Sequence, residues 1–294
     1  MEDEKVNLFV VGAMKAGTTS FVDLLSHHPR LYVSPVKEPH FFVDTLPKEL
    51  YEPSRFFHLD RYLNESFPEP LHITKIENEA QYKKIYSRAD NCEYKIDAST
   101  AYLHAEESTA LIHRYQPEAK IIIILRDPLK RAYSHYKMNL GKGRIKHSFE
   151  KIILKDIERY HQGTLAWYSY LGMSLYQKAI ERYKKMFNHV LVIRFEDLIS
   201  NQAKVLADVA LFLNIEAFYE EELSAKNTAK ELRFQKLFYI LKKLGLNDYF
   251  SKYVNRNFRQ RLFRWVSKDP SKKIPLSHKT SQELEAIFTK ENMQ

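Results

Sequence analysis

Three short stretches of this chain hold side chains whose types and spacing suit anion chemistry. In Gly12-Ala13-Met14-Lys15-Ala16-Gly17-Thr18-Thr19-Ser20, two glycines bracket a lysine and three hydroxyl residues follow. Between a strand and a helix, such a loop points backbone N–H groups and a helix N-terminus at an anion. The G-x4-G spacing is that of a Walker phosphate loop, yet Thr18-Thr19 stands where Lys-Ser/Thr belongs, and the lysine sits earlier, at Lys15. That makes a poor Mg·ATP site, although Lys15 still reaches a bridging oxygen. The bland alternative is a tight turn with incidental hydroxyls. The second stretch, Arg126-Asp127-Pro128-Leu129-Lys130-Arg131-Ala132-Tyr133-Ser134-His135-Tyr136, puts an arginine at the carboxyl end of an isoleucine strand and Ser134 two turns into the next helix. A guanidinium and a hydroxyl there can grip one small anion; the alternative for Arg126 is a surface ion pair. Two anion sites on adjacent strand ends imply a nucleotide phosphorylated at two places. In the third stretch Glu38 precedes Pro39, which favours an extended backbone, and His40 then lies on the same face as Glu38. On residue type alone, Glu38 reads equally as a solvated loop acid and Lys37 as a solvated flank or acceptor contact.

Composition narrows the classes. The 294 residues are 44% hydrophobic and 28% charged, which excludes disordered, collagen-like and disulfide-rich chains. Lysine and arginine exceed aspartate and glutamate by 46 − 37 = +9, favouring an anionic ligand, acceptor or surface. Only 7 glycines occur, and Gly12 and Gly17 alone precede Leu140, so the backbone at those two positions is expected to refuse a Cβ. The lone Cys92 fits a reducing compartment. Three acids among residues 1–5 make a poor secretory signal, and no apolar run reaches membrane-spanning length. These features predict a soluble, cytoplasmic protein.

The elements that must position the three stretches follow from periodicity. Strands are expected at 6–11, 93–98, 120–125 and 190–195. Helices are expected at 18–28, 108–115, 128–138, 148–161, 172–187 and 200–213, with Asp127 as N-cap and Pro128 at the first helical position. The proline-rich span 30–90 reads as long connections and short helices, and everything past Leu213 as helical. Strands alternating with helices predict an α/β fold on a parallel sheet.

The same residues carry a family resemblance. Lys15-Ala16-Gly17-Thr18-Thr19 resembles the 5′-phosphosulfate loop of sulfotransferases, and 125–136 is similar to their 3′-phosphate motif. Val36-Lys37-Glu38-Pro39-His40-Phe41-Phe42 resembles the K-E-x-H-F-F segment of the heparan-sulfate-type and related bacterial branch. Leu175-Tyr176 and Arg194-Phe195-Glu196-Asp197-Leu198 match in order, so the likeness spans about 6–215. It implies a P-loop-type three-layer fold, a central parallel sheet flanked by helices, in a single domain over 1–294 with 216–294 a mostly helical C-terminal part. It implies PAPS (3′-phosphoadenosine 5′-phosphosulfate) as sulfate donor without a metal, held by Lys15, Ala16, Gly17, Thr18, Thr19, Ser20, Arg126 and Ser134. A basic loop past the core, at Lys226, Lys230 or Arg233, then closes over the donor. The implied catalytic set is Lys15 at the bridging oxygen, Glu38 as general base and His40 as its orienting partner. The implied acceptor is a hydroxyl, of a saccharide or glycolipid. One departure stands out: the branch carries a lysine and a proline where this chain has Ala98 and Thr100, which tells against a glycosaminoglycan acceptor. Asp97 and Ser99 are candidates for the acceptor pocket, with Asp97 equally a helix cap.

From Arg233 to Lys268 ten Lys/Arg meet one acid, Asp248, with nine aromatics interleaved. This stretch reads as helices with solvated charges, a cover over the donor, a cradle for an anionic glycan, or a peripheral contact with anionic membrane. Two other functions compete with the leading one. A P-loop kinase would use Glu196-Asp197 as magnesium ligands, against the missing lysine at Thr18. A nucleic-acid binder would use the basic tail, but no nucleic-acid motif accompanies it.

Overall fold

The computed structural model describes residues 5–218, the backbone of 231–232 and 267–268, and 274–292. Five parallel strands form the central sheet in the order β2-β5-β1-β6-β7. They are β1 (Leu8–Gly12), β2 (Leu31–Val33), β5 (Tyr94–Asp97), β6 (Lys120–Leu125) and β7 (Val190–Arg194). β1 is buried along its whole length and β6 along Ile121–Ile124, as their unbroken apolar runs require of strands covered on both faces. Helices flank this sheet, in the three-layer architecture expected. They include α1 (Thr18–Leu25), α4 (Glu106–Tyr115), α5 (Pro128–Gly141), α6 (Phe149–His161), α7 (Gln177–Met186), α8 (Phe195–Ser200) and α9 (Gln202–Leu213). Asp127 caps α5 by accepting from the Lys130 N–H at 2.7 Å, with Pro128 in the first turn. Ser148 caps α6 in the same way through Lys151.

Register brings the functional stretches to one edge. β1 pairs with β6 from Leu8↔Lys120 to Gly12↔Ile123, and β6 with β7 from Ile121↔Val190 to Leu125↔Arg194. The carboxyl ends of the three strands therefore lie side by side, and Lys15, Arg126 and Phe195 leave the sheet together. On the other flank of β1, Phe9 pairs with Asp97, so the segment after β5 starts at the same edge.

Four expectations need correction. The span 30–90 holds not only α2 (Leu59–Arg61) and α3 (Glu79–Ile85) but β2 and a separate parallel pair, β3 (Val36–Glu38) with β4 (Leu71–Ile73). These strands have three residues each, too short to show an alternation among prolines. The helix expected over 172–187 is broken: Gly172–Ser174 makes a tight turn, Leu175 is extended, and α7 starts at Gln177. Gly172 lies where an added Cβ would stand 2.4 Å from the Ala166 carbonyl, so this turn is fixed by packing. α8 interposes between β7 and the helix expected from 200. Past Leu213 the chain is not all helix, because β8 (Glu231–Leu232) pairs antiparallel with β9 (Ser267–Lys268). The final helix, α10 (His278–Asn292), was expected as helix.

A second core ties α10 to the body, with Leu284 and Ile287 joining Ala132, Tyr136, Phe149, Ile153 and Ile157 of α5 and α6. The Tyr160 hydroxyl donates to Glu291 at 2.6 Å, and Glu150 accepts from Ser277 N and Thr280 Oγ1. Among the described residues no helix is long and apolar enough to cross a membrane. The basic aromatic stretch 233–268, apart from the backbone of 267–268, lies outside the described residues.

Candidate active site

The loop between β1 and α1 needs both of its glycines. Gly17 has φ +83, and a Cβ on it would stand 2.6 Å from the Phe195 ring; one on Gly12 would stand 2.8 Å from Leu103 Cβ. Lys15 itself is left-handed, at φ 72, a conformation that non-glycine residues adopt under constraint. Ala16 and Thr18 are buried, Gly17 and Ser20 half-buried and Thr19 exposed, at a helix start whose first N–H groups have no intrahelical acceptor. The Lys15 ammonium touches the thioether of Met138 on α5 at 3.9 Å. Burial, then the like charges of Arg126, Lys37 and Arg131, hold it below the usual lysine range, with Glu38 pulling the other way.

Arg126 makes no surface ion pair with a neighbouring acid among the described residues. Its Nη1 donates to the Lys15 carbonyl at 3.0 Å and its guanidinium lies 4.7 Å from the centre of the Phe195 ring. Phe195 thus fills the space between Gly17 and Arg126. Arg126 Nε is buried without a hydrogen-bond partner among the described residues. A buried charged donor in that condition calls for an acceptor. Ser134 sits on α5, half-buried, two turns beyond Asp127.

Glu38 ends β3 and is buried. One carboxylate oxygen accepts from Lys37 Nζ at 3.0 Å and the other from Thr100 Oγ1 at 2.8 Å. Burial alone would raise its pKa, but the Lys37 ammonium, His40 and the Lys37 hydrogen bond together lower it to about 2. Lys37 is therefore no solvated flank: it is the counter-ion of Glu38. His40 Nε2 lies 3.5 Å from Glu38 Oε2, though not through the extended backbone expected. The backbone is not extended at His40 (φ 50), and the ring is set by Nδ1 facing the carbonyls of Glu38 at 3.0 Å and Thr74 at 3.3 Å. Those contacts assign the proton to Nδ1 and leave Nε2 toward Glu38. Burial above all keeps the ring below the ordinary histidine range.

Asp97 neither lines a pocket nor caps a helix. It is fully buried, accepting from Tyr82 and Tyr102 hydroxyls at 2.8 and 2.9 Å and from Ser99 Oγ at 2.7 Å. Ser99 in turn accepts from His40 N–H at 3.0 Å, so this carboxyl anchors the His40 turn from behind. Burial raises Asp97 to about 6 against the pull of its three donors. Sequence reasoning did not foresee the work of Thr100, Phe195 or Met138. Thr100 was visible only as a departure from a pattern, and the roles of the other two depend on strand register. Glu196 accepts from the Asp127 N–H at 3.2 Å, which engages one of the side chains a kinase would commit to magnesium. Arg233, Lys226 and Lys230 lie outside the described residues.

A glycine loop after the first strand of a parallel sheet, with an arginine at the neighbouring strand end, defines an α/β protein of the P-loop type. Within that class the chain belongs to the sulfotransferase family, whose model matches residues 7–221. It is 24% identical over 265 residues to mouse carbohydrate sulfotransferase 15, covering 77% of this chain and 47% of that one. It is 25% identical over 208 residues to human heparan sulfate glucosamine 3-O-sulfotransferase 3B1, covering 70% and 45%. A crystal structure of a sulfotransferase from Alicyclobacillus acidocaldarius matches with TM-score 0.59 and 29% identity, over 76% of this chain and 87% of that one. The chain spans about half the length of the curated relatives it matches.

Proposed function

We propose that this chain transfers a sulfuryl group from PAPS to an acceptor hydroxyl of a saccharide or glycolipid, by in-line displacement. The observation that carries the reading is the bond from Arg126 to the Lys15 carbonyl across two strand ends, with the ionised carboxylate of Glu38 within electrostatic reach of Lys15. The residues present fit the donor. The Gly12–Gly17 loop offers backbone N–H groups, and Arg126 keeps a buried Nε without a protein acceptor. When bound, the donor supplies a sulfuryl group whose bond to a bridging phosphate oxygen breaks as the acceptor oxygen attacks.

The protein's own contribution is positioning and charge. Lys15 faces the oxygen that gains negative charge, a role needing no divalent ion. Arg126 and Ser134 take the second phosphate. Glu38, ionised at neutral pH, accepts the acceptor's proton; Thr100 fixes its carboxylate and Lys37 sets its basicity. The test is transfer of labelled sulfate from PAPS to a panel of glycans, glycolipids and small alcohols. Label is expected on members carrying sugar hydroxyls, and no transfer to any class overturns the reading.

A further inference from the structure

A cavity of about 1270 Å³ opens between α5, α6, the 166–170 segment and the 48–52 segment. Its inner wall holds two side chains that nothing in the mechanism uses. His135 is 2% exposed with both ring nitrogens lacking a hydrogen-bond partner among the described residues, and Asn139, 4% exposed, has its Oδ1 in the same condition. Asn139 Nδ2 is already given to the Tyr170 hydroxyl at 2.9 Å, and the His135 ring packs 4.6 Å from that of Tyr170. Buried polar atoms are nearly always paired, so this group calls for a ligand or ordered water. His135 also lies within electrostatic reach of Lys15. His135 stands one helical turn before Met138, the residue against which Lys15 rests.

The chemistry of the group selects what it holds. Burial and the surrounding cations Arg131, Lys15, Arg144 and Lys142 keep His135 uncharged. A neutral imidazole offers one N–H donor and one lone pair, and Asn139 adds another acceptor. Hydroxyls, which donate and accept, complement that set. A carboxylate or sulfate can take the imidazole N–H but has no proton for the ring lone pair or for Asn139 Oδ1. The wall agrees: its lining has five Lys/Arg and five Asp/Glu. We propose that His135 and Asn139 form an acceptor subsite reading an uncharged, polyhydroxylated sugar ring, so that this chain prefers neutral glycosides over anionic ones.

The proposal rests on the sulfotransferase reading, and one experiment separates the two. Adenosine 3′,5′-bisphosphate-loaded protein is examined by saturation-transfer NMR with p-nitrophenyl β-glucoside, β-galactoside, N-acetyl-β-glucosaminide and β-glucuronide, and sulfate transfer from PAPS is measured on each. At least one neutral glycoside is expected to exceed the glucuronide about tenfold in kcat/KM. His135→Phe and Asn139→Leu are expected to raise its KM about tenfold, with His135→Gln restoring most of it and bisphosphate affinity unchanged throughout. Preference for the glucuronide, or binding of none of the neutral glycosides, overturns the subsite. Lower melting temperatures with unchanged KM assign the two side chains to an internal water and overturn it equally. Loss of bisphosphate binding in the unaltered protein would instead strike at the sulfotransferase reading.

Discussion

At the scale of single residues, charge placement decides the chemistry. Lys15→Ala and Glu38→Ala are each expected to lower turnover by about 10²-fold or more. Glu38→Ala should leave the melting shift produced by adenosine 3′,5′-bisphosphate intact, and a near-normal rate would remove Glu38 from the mechanism. The pH profile tests Lys37. With its carboxyl lowered to about 2, Glu38 is ionised across the working range, so kcat/KM should show no acidic limb from it near neutrality. Lys37→Met removes the leading cause of that lowering, burial then acts with less opposition, and the acidic limb should move upward. An unmoved limb would free Lys37 from the role. The sequence displayed Lys15, Arg126, Glu38 and His40 because their types are rare in such settings. Thr100 and Phe195 were harder to see, since a hydroxyl and a ring acquire their roles only from what the fold sets beside them.

Among elements, the βα corners carry the site and their tolerance is narrow. Gly17→Ala must place a Cβ at φ +83 and within 2.6 Å of the Phe195 ring. It should weaken bisphosphate binding at least tenfold and lower stability by about 1–3 kcal/mol, read by titration calorimetry and urea unfolding. The segment after β5 behaves differently because it is held by Asp97. With its pKa raised to about 6, against ~4 unfolded, the folded chain keeps a proton that the unfolded chain releases. That contribution is complete below the unfolded value and disappears as pH rises through the folded one. Asp97→Asn should therefore flatten the dependence of unfolding free energy on pH between about 4 and 6, and an unchanged slope would exclude Asp97 as its source. The long elements were legible from the sequence: the Ile121–Ile124 run fixes β6, and Asp127-Pro128 fixes the start of α5. β2, β3 and β4 were not, since three-residue strands have no period to read and their pairing is decided by distant partners.

For the molecule as a whole, ligand linkage separates the functions. Adenosine 3′,5′-bisphosphate should raise the melting temperature as ln(1 + [L]/Kd) without magnesium, whereas Mg·ATP should not. The reverse result would restore the kinase. The body is closed by α10, whose Leu284 is 1% exposed against α5 and α6. Leu284→Ala should cost about 2–5 kcal/mol in urea unfolding, and a cost under ~1 kcal/mol would show α10 to be an ornament. Residues 216–218 are fastened to this body too: His28 Nε2 lies 3.1 Å from the Glu216 carbonyl and its ring 5.0 Å from that of Phe218. Residues 216–218 and 278–292 are thus both riveted to the same body. A single backbone nick between 218 and 274 would consequently yield two pieces that travel together through a sizing column, parting only when a denaturant dissolves the α5–α6–α10 seam.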